Sequence, residues 1–415
     1  MADVKKLRGR VLLLSPFFFP ELISTGKANT HLAQALAAEG AKVTTICSHP
    51  LYPDWIPATS SAQMDGVKTI RGGAWLRYSK RVAVRRAVLE IWFALFAAWQ
   101  SFRLRNQMDT VVCVFPPSLF ALCVHAVLPR RVRRVAVVHD LQGVLAGQHE
   151  GRVRGWITRM IYAVESRGFH RQDRCIFFSA DMAKSAQQAY GLDPSKVAVQ
   201  YPCVTLETGR TDETPATQLE NILPSGRLHV VYSGALGLKQ NSETFVAWMQ
   251  AAAQQFPDAG FHVFSGGPIF DKLKARYAGD SQSNFHFHPL VEERDLAELY
   301  QRSTIQLIPQ AEKTEAGALP SKLPNLLAAG VSILAITSAQ SEVARLIQEA
   351  GTGNVVERWD PQLFLQRLNE TLQQAQATSA AVRRAQVETL LQRFTVEHMA
   401  QLVFADAEMS SEVCA

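Results

Sequence analysis

At 415 residues the chain is too long for one ordinary core, and 47% apolar with 19% charged residues excludes an intrinsically disordered protein. The net charge of +6 is unevenly placed: residues 71–174 hold 18 Lys/Arg against 6 Asp/Glu, and residues 175–415 hold 18 against 26. A basic first half joined to an acidic second half implies an anionic partner for the first.

The N-terminus, Met1–Arg10, is basic, and the apolar run after it, Val11–Leu14, is short and ends in Ser-Pro-Phe without a cleavage site. It reads as a first strand rather than a signal peptide. The chain then passes Ser15–Glu21 and Ser24-Thr-Gly-Lys27 into a helical pattern, His31–Glu39, stopped by Gly40. A second strand, Lys42–Cys47, follows. Later strands are predicted at Thr110–Phe115, Arg134–Val138 and Arg174–Phe178, with helices around 83–104, 153–170 and 180–190. The segment Leu206–Gly226 lacks apolar periodicity and reads as an interdomain linker. Beyond it the first pattern returns: strand Leu228–Ser233, glycine turn Gly234–Lys239, helix Glu243–Gln255, strand Phe261–Phe264, then Gly266-Gly267. Strands at Ile305–Ile308 and Ser332–Ile336 flank a helix from about Ser321 to Ala329, and helices at about 361–375, 380–393 and 395–408 close the chain.

Strand, glycine turn, helix, strand is the βαβ unit of a doubly wound sheet, and it occurs twice. The expected architecture is α/β: two doubly wound, Rossmann-like domains facing across a cleft, at 1–205 and 227–394, with a linker at 206–226 and a final helical segment at 395–415. Ligands of such sheets bind at the carboxyl ends of the strands, so the glycine turns fall on the binding edge.

In residues 80–105, Glu90 is the only polar residue between Ala87 and Trp99. As a helix that stretch is roughly 20 Å long, short of the roughly 30 Å hydrocarbon core. Its basic flanks and aromatic residues suit a helix lying on an anionic membrane, and the same pattern suits a core helix; both readings stay open. The runs Arg130–Arg134 and Arg152-Val-Arg154 would extend a basic surface. No nucleic-acid motif accompanies these charges, so a nucleic-acid partner is not expected. Cys47, Cys113, Cys123, Cys175, Cys203 and Cys414 form no CxxC pair and no zinc-ligand spacing. Reduced thiols in a cytoplasmic protein, with no metal, are expected.

Phe18-Phe-Pro-Glu21, Gly26 and His49-Pro-Leu-Tyr-Pro-Asp-Trp55 resemble the N-terminal signature of the retaining, GT-B-fold enzymes of glycosyltransferase family 4. Tyr232–Gln240, Phe264–Pro268 and Pro320–Gly330 match a colanic-acid-type subgroup of that family in order and spacing. The resemblance covers residues of about 10 to 360. It implies a metal-independent hexosyltransferase without a cofactor, using a nucleotide-sugar co-substrate, GDP- or UDP-linked. It implies a lipid-linked or oligosaccharide acceptor in exopolysaccharide or cell-surface glycan synthesis, peripheral attachment to the inner face of the membrane, and a last helix that packs back on the first domain. The implied donor contacts are Gly26, Lys27, Gly234, Lys239, Gly266, Gly267, Ser321, Lys322 and Asn325. His139 and Asp140, after the strand Val135–Val138, are implied to face the transferring sugar. Many members carry two glutamates eight positions apart before an Ala-Gly pair. Here those positions are Gly317 and Asn325, so Asn325 is left to bind the ribose and Glu315, or Glu312, to supply the carboxylate. Two rivals stay open: a non-catalytic scaffold that binds nucleotide sugar or membrane, and a sugar-nucleotide epimerase of the same fold.

Overall fold

The computed structural model describes residues 9–21, 23–52, 54–147, 155–206, 218–277, 284–312 and 319–405. Over these residues the chain divides into two compact units, one within 9–203 together with 395–405, the other within 204–394.

The first unit is built on β1 (Arg10–Leu14), β2 (Lys42–Ser48), β3 (Val67–Gly72), β4 (Thr110–Phe115), β5 (Arg133–Val138), β6 (Arg174–Phe177) and β7 (Val197–Val199). Their order is β3-β2-β1-β4-β5-β6-β7, with every pairing parallel. β4 is buried along its whole length and β1 over four of its five residues, as a sheet covered by helices on both faces requires. The chain leaves β1 toward one edge and returns at β4 to fill the other, so the switch point lies between β1 and β4. β3 (Val-Lys-Thr-Ile-Arg-Gly) escapes sequence reading because it is half-exposed and charged.

Gly26, expected in a turn, lies instead in the first turn of the helix Ser24–Ala38. A Cβ there would stand 3.0 Å from Cβ and Cγ of Glu21, so the missing side chain lets the preceding loop lie on the helix. The helix Val82–Leu104 buries Leu89, Phe93, Ala94 and Ala97 and packs against the helix Leu119–Val127. Glu90 accepts from Ser118 N and Leu119 N at the start of that second helix, which explains one carboxylate in an apolar run. The opposite face leaves Ile91, Leu95, Trp99 and Phe102 exposed. The segment is therefore part core and part open apolar surface. The helix Val396–Phe404 belongs to this unit and packs on Ser24–Ala38.

The second unit carries β8 (Leu228–Ser233), β9 (Ala259–Phe264), β10 (Phe285–His288), β11 (Ile305–Pro309), β12 (Ser332–Ile336) and β13 (Gly353–Val356). Their order is β10-β9-β8-β11-β12-β13, all parallel, with the switch point between β8 and β11. Residues 218–226, read as linker, include the short helix Gln218–Ile222, which with the next residue buries Leu219 and Leu223 in this unit. Two leucines four apart are one turn of apolar face, too short a signal to register as periodic. The five described cysteines are free thiols.

Candidate functional site

The carboxyl edge of the second sheet collects most of the expected donor contacts. β8 ends at Ser233, and Gly234 turns the chain with φ +143°, a conformation that disfavours any side chain. Tyr232 Oη donates to Ala235 O at 2.6 Å and holds that turn against its own strand. The turn runs through Gly237 into a single tight helical turn, Leu238–Gln240, that carries Lys239. Ala311 N donates to Lys239 O at 2.8 Å, which ties the loop after β8 to the loop after β11. Across β9, Gly267 has φ +92° and starts the helix Pro268–Tyr277, while a Cβ on Gly266 would meet nothing within 4 Å. The backbone at 266–267 is thus open to close approach by a ligand.

Lys322 reaches the switch point. Its Nζ donates to Ser233 O at 3.2 Å and to Leu307 O at 2.6 Å, and lies 4.4 Å from the centre of the Tyr232 ring. Two carbonyls and a ring face are weak substitutes for a counter-ion. Burial pushes the ammonium down from 10.5 to about 7, although part of the side chain stays within reach of solvent. A lysine whose charge is disfavoured by burial at a strand end is suited to take up a proton together with an anion. Ser321 beside it is exposed, and the helix it precedes, Leu323–Ala329, has no side-chain cap.

The carboxamide of Asn325 is engaged within the protein. Its Oδ1 accepts from Thr205 N at 2.8 Å and Leu206 N at 3.1 Å, and its Nδ2 donates to Thr205 Oγ1 at 3.0 Å. This buried carboxamide fastens Thr205 and Leu206, a structural tie at the position where a ribose contact is expected. Glu315 lies outside the described residues, as do Arg152 and Arg154. Sequence reading missed Ser265 and Gln310. Each is the first polar residue after a buried strand, and the Oγ of Ser265 and the Oε1 of Gln310 are buried without a hydrogen-bond partner.

In the first unit, His139 follows β5 at the carboxyl edge. It lies 3.3 Å, Nε2 to Oδ1, from Asn29, whose Nδ2 donates to Ser15 Oγ and Phe17 O at 2.9 and 3.1 Å. Those donations orient the amide, so His139 carries its proton on Nε2 and leaves Nδ1 as an acceptor. Burial pushes the imidazole down to about 3, and the ring stacks on Phe178 at 4.4 Å. His139 is therefore neutral at pH 7. Asp140 is half-buried beside it. Just below, Glu165 accepts from Gln142 N (3.1 Å), Gly143 N (2.8 Å) and Tyr190 Oη, which holds the segment after Asp140 in place. Lys27 lies in the first turn of Ser24–Ala38, half-buried. Glu21 is buried and accepts from Leu51 N and Tyr52 N at 2.7 and 3.2 Å. The Phe-Phe-Pro-Glu motif, Gly26 and the His49–Trp55 motif are thus one structural device that shapes the edge.

Comparison with known proteins agrees with the fold. Residues 26–208 match the model of Glycosyltransferase Family 4, and residues 227–374 match that of Glycosyl transferases group 1. The chain is 24% identical over 363 residues to a protein of Escherichia coli (strain K12) named as a colanic acid biosynthesis glycosyl transferase, WcaI, covering 82% of this chain and 86% of that one. Among solved structures it resembles WaaG, a glycosyltransferase involved in lipopolysaccharide biosynthesis, at TM-score 0.66 and 16% identity, covering 97% of this chain and 100% of that one. It also resembles the E. coli trehalose-6-phosphate protein bound with UDP-2-fluoro glucose, at TM-score 0.64 and 10% identity, covering 96% and 99%. These structural likenesses establish the fold.

Proposed function

Since the chain belongs to the GT-B-fold glycosyltransferases of family 4, we propose that it is a retaining hexosyltransferase that moves a sugar from a UDP- or GDP-linked donor to a lipid-linked saccharide at an anionic membrane surface. The donor lies on the second unit, at the carboxyl ends of β8, β9 and β11. The observation that carries this reading is Lys322, whose Nζ sits at the switch point on Ser233 O, Leu307 O and the Tyr232 ring, with the open backbone of Gly266 and Gly267 at the end of the neighbouring β9. As the sugar leaves, negative charge builds on the diphosphate, and a cation already desolvated stabilises it more than one in water. Lys239 and the glycine turn before it border the same edge. Asp140 and the neutral imidazole of His139 serve the acceptor side on the first unit. His139 Nδ1 accepts a hydrogen bond from a sugar hydroxyl without competition from its own charge.

The membrane part of the reading is supported by the exposed apolar face of Val82–Leu104 and the arginines around it, Arg81, Arg86, Arg103 and Arg105. No helix among the described residues is long and apolar enough to cross a bilayer. One observation favours a scaffold without turnover: the position expected to hold a ribose-binding glutamate is Asn325, and its carboxamide is occupied.

A thermal-shift screen with UDP, GDP, ADP, TDP and their sugar conjugates tests the donor assignment. Binding to the folded state at about 100 times the dissociation constant stabilises it by about 2.7 kcal/mol. Stabilisation by one base class, followed by sugar transfer to a lipid-linked acceptor, is the expected result. No stabilisation by any nucleotide in a folded protein overturns the reading. Binding with no transfer to any acceptor selects the scaffold.

A further inference from the structure

The carboxyl edge of the first sheet holds a buried amide whose bonds leave the helix that carries it. Asn29 lies in the helix Ser24–Ala38 and is fully buried. Asparagine is a poor helix former, and a buried carboxamide is costly unless it is bonded. Its Nδ2 donates to Ser15 Oγ at 2.9 Å and to Phe17 O at 3.1 Å, both in the loop after β1. Its Oδ1 lies 3.3 Å from Nε2 of His139, 110 residues along the chain. The main-chain N of His139 donates to Phe115 O at 2.9 Å, at the end of β4. Asn29 and His139 thus join the loop after β1 to the end of β4, across the switch point of this sheet.

The protons around Asn29 admit one arrangement. Ser15 Oγ has a single proton, which goes to Phe17 O at 3.0 Å, and the same oxygen accepts from Phe17 N at 3.2 Å. Toward Asn29, Ser15 Oγ and Phe17 O can therefore only accept. That puts the NH2 of the amide on their side and its oxygen on the side of His139. An amide oxygen accepts and never donates, so the imidazole proton sits on Nε2. Phe178 fixes the plane of the ring, stacked at 4.4 Å with the two planes 28° apart. Burial keeps the imidazole uncharged at pH 7. Plane, rotation and proton are then all set, and what is left is the lone pair of Nδ1, which has no hydrogen-bond partner among the described residues.

We propose that Asn29 is a positioning residue for sugar transfer: it holds the proton of His139 on Nε2 and so reserves Nδ1 for a sugar hydroxyl. The proposal rests on the transferase reading of the preceding subsection only for what Nδ1 meets. It adds a residue that touches neither sugar nor nucleotide, and a rule of selection. A lone pair accepts from a hydroxyl and repels a carboxylate or phosphate oxygen, so the group read at this position is an uncharged hydroxyl. The opposite tautomer would present an N–H at Nδ1 and could accept nothing.

Long-range proton–nitrogen NMR of the full chain carrying isotope-labelled histidine reads the tautomer without any substrate, and His139→Gln identifies the signal by its loss. Wild-type His139 is expected in the neutral form protonated on Nε2. In Asn29→Leu, Ser15 Oγ and Phe17 O keep each other and Phe17 N as partners, so the loop after β1 is not stranded. An Nε2–H would then face hydrocarbon, and the proton should move to Nδ1, where water accepts it. With the nucleotide sugar that stabilises the fold, Asn29→Leu should keep the wild-type thermal shift and donor KM while kcat for transfer falls about 100-fold. A proton on Nδ1 of wild-type His139 overturns the proposal. So does an Asn29→Leu protein that keeps the wild-type tautomer, or one that transfers sugar at the wild-type rate. The two readings fail separately. Donor stabilisation and transfer with an unmoved proton remove only the role of Asn29. A wild-type protein that neither is stabilised by a nucleotide sugar nor transfers one removes the transferase reading, and the spectra still decide whether Asn29 sets the proton.

Discussion

Lys322 should make donor affinity depend on pH in one direction only. Its free-state pKa is depressed to about 7 by burial, with Ser233 O, Leu307 O and the Tyr232 ring as its partners among the described residues. A diphosphate recognises the ammonium and not the amine, so the apparent dissociation constant is the intrinsic one divided by the charged fraction. With a pKa of about 7 that fraction is about 0.9 at pH 6 and about 0.03 at pH 8.5, and affinity falls about 30-fold, or about 2 kcal/mol, between them. The sign follows from the shift: burial lowers the pKa, bound diphosphate raises it again, and binding takes up a proton. Affinity is therefore highest at low pH and is lost as pH rises through about 7. Calorimetry with intact UDP- and GDP-sugars, whose diphosphate is doubly esterified, avoids the terminal phosphate titration near pH 6 of free nucleotides. Two buffers of different ionisation enthalpy report the proton directly. Lys322→Met should bind weakly at every pH, and its thermal stability should not fall by more than about 1 kcal/mol, because a residue held discharged serves function rather than the fold. An affinity constant from pH 6 to pH 8.5, or a Lys322→Met protein that binds like the wild type, refutes the reasoning.

Two further expectations concern stability. His229, His262 and His288 form a ladder across β8, β9 and β10: His229 Nε2 lies 3.0 Å from Pro224 O, His229 Nδ1 3.2 Å from His262 Nε2, and His262 Nδ1 3.1 Å from His288 Nε2. The carbonyl can only accept, so every ring donates from Nε2 and all three are neutral. Burial holds His262 at about 2 and His288 at about 4 in the folded state, so the unfolded chain takes up protons first, and stability drops as pH falls from about 6.5 toward about 4. At pH 5 each of these two contributes a loss of about 2 kcal/mol; urea titrations followed by the Trp248–Trp359 pair should show it, and identical midpoints at pH 7.5 and pH 5 would argue against the ladder. Glu21→Ala strands the buried N–H group of Leu51, removes the bond to the more exposed N–H of Tyr52, and should cost about 2 kcal/mol in thermal melts, with Glu21→Gln in between; a change under about 0.5 kcal/mol contradicts the role assigned to the Phe-Phe-Pro-Glu motif.

The doubly wound pattern was legible because apolar strands buried on both faces stand out against any background. β1, β4, β8 and β12 are such runs, and their sequence limits match the structure within a residue. The strands left unread are the ones whose burial is partial. β3 alternates with lysine and arginine, β10 is Phe-His-Phe-His at a sheet edge, and β13 opens on Gly353, where a Cβ would stand 1.8 Å from Ile333 O. Site residues divide in the same way. Lys322, His139 and the 266–267 turn could be named because each follows or faces a recognisable strand end. The helical placement of Gly26 and the internal bonds of Asn325 could not be read. Their roles depend on contacts with Glu21 and with residues 204–206, which no local pattern encodes.

The histidine ladder and the Arg85–Trp99 face of the helix Val82–Leu104 share one lesson about where local reading stops. Each is assembled from residues that are unremarkable alone: three histidines on three strands, or an arginine and three aromatics on one helix. What distinguishes them is the state of their polar atoms. The ladder is saturated, every nitrogen between its ends being donor or acceptor to the next ring, and so it acts as structure whose integrity depends on proton occupancy. The Arg85 face is unsaturated, with Arg85 Nε and Tyr78 Oη buried and without a hydrogen-bond partner among the described residues. A buried donor without an acceptor costs about 1–3 kcal/mol.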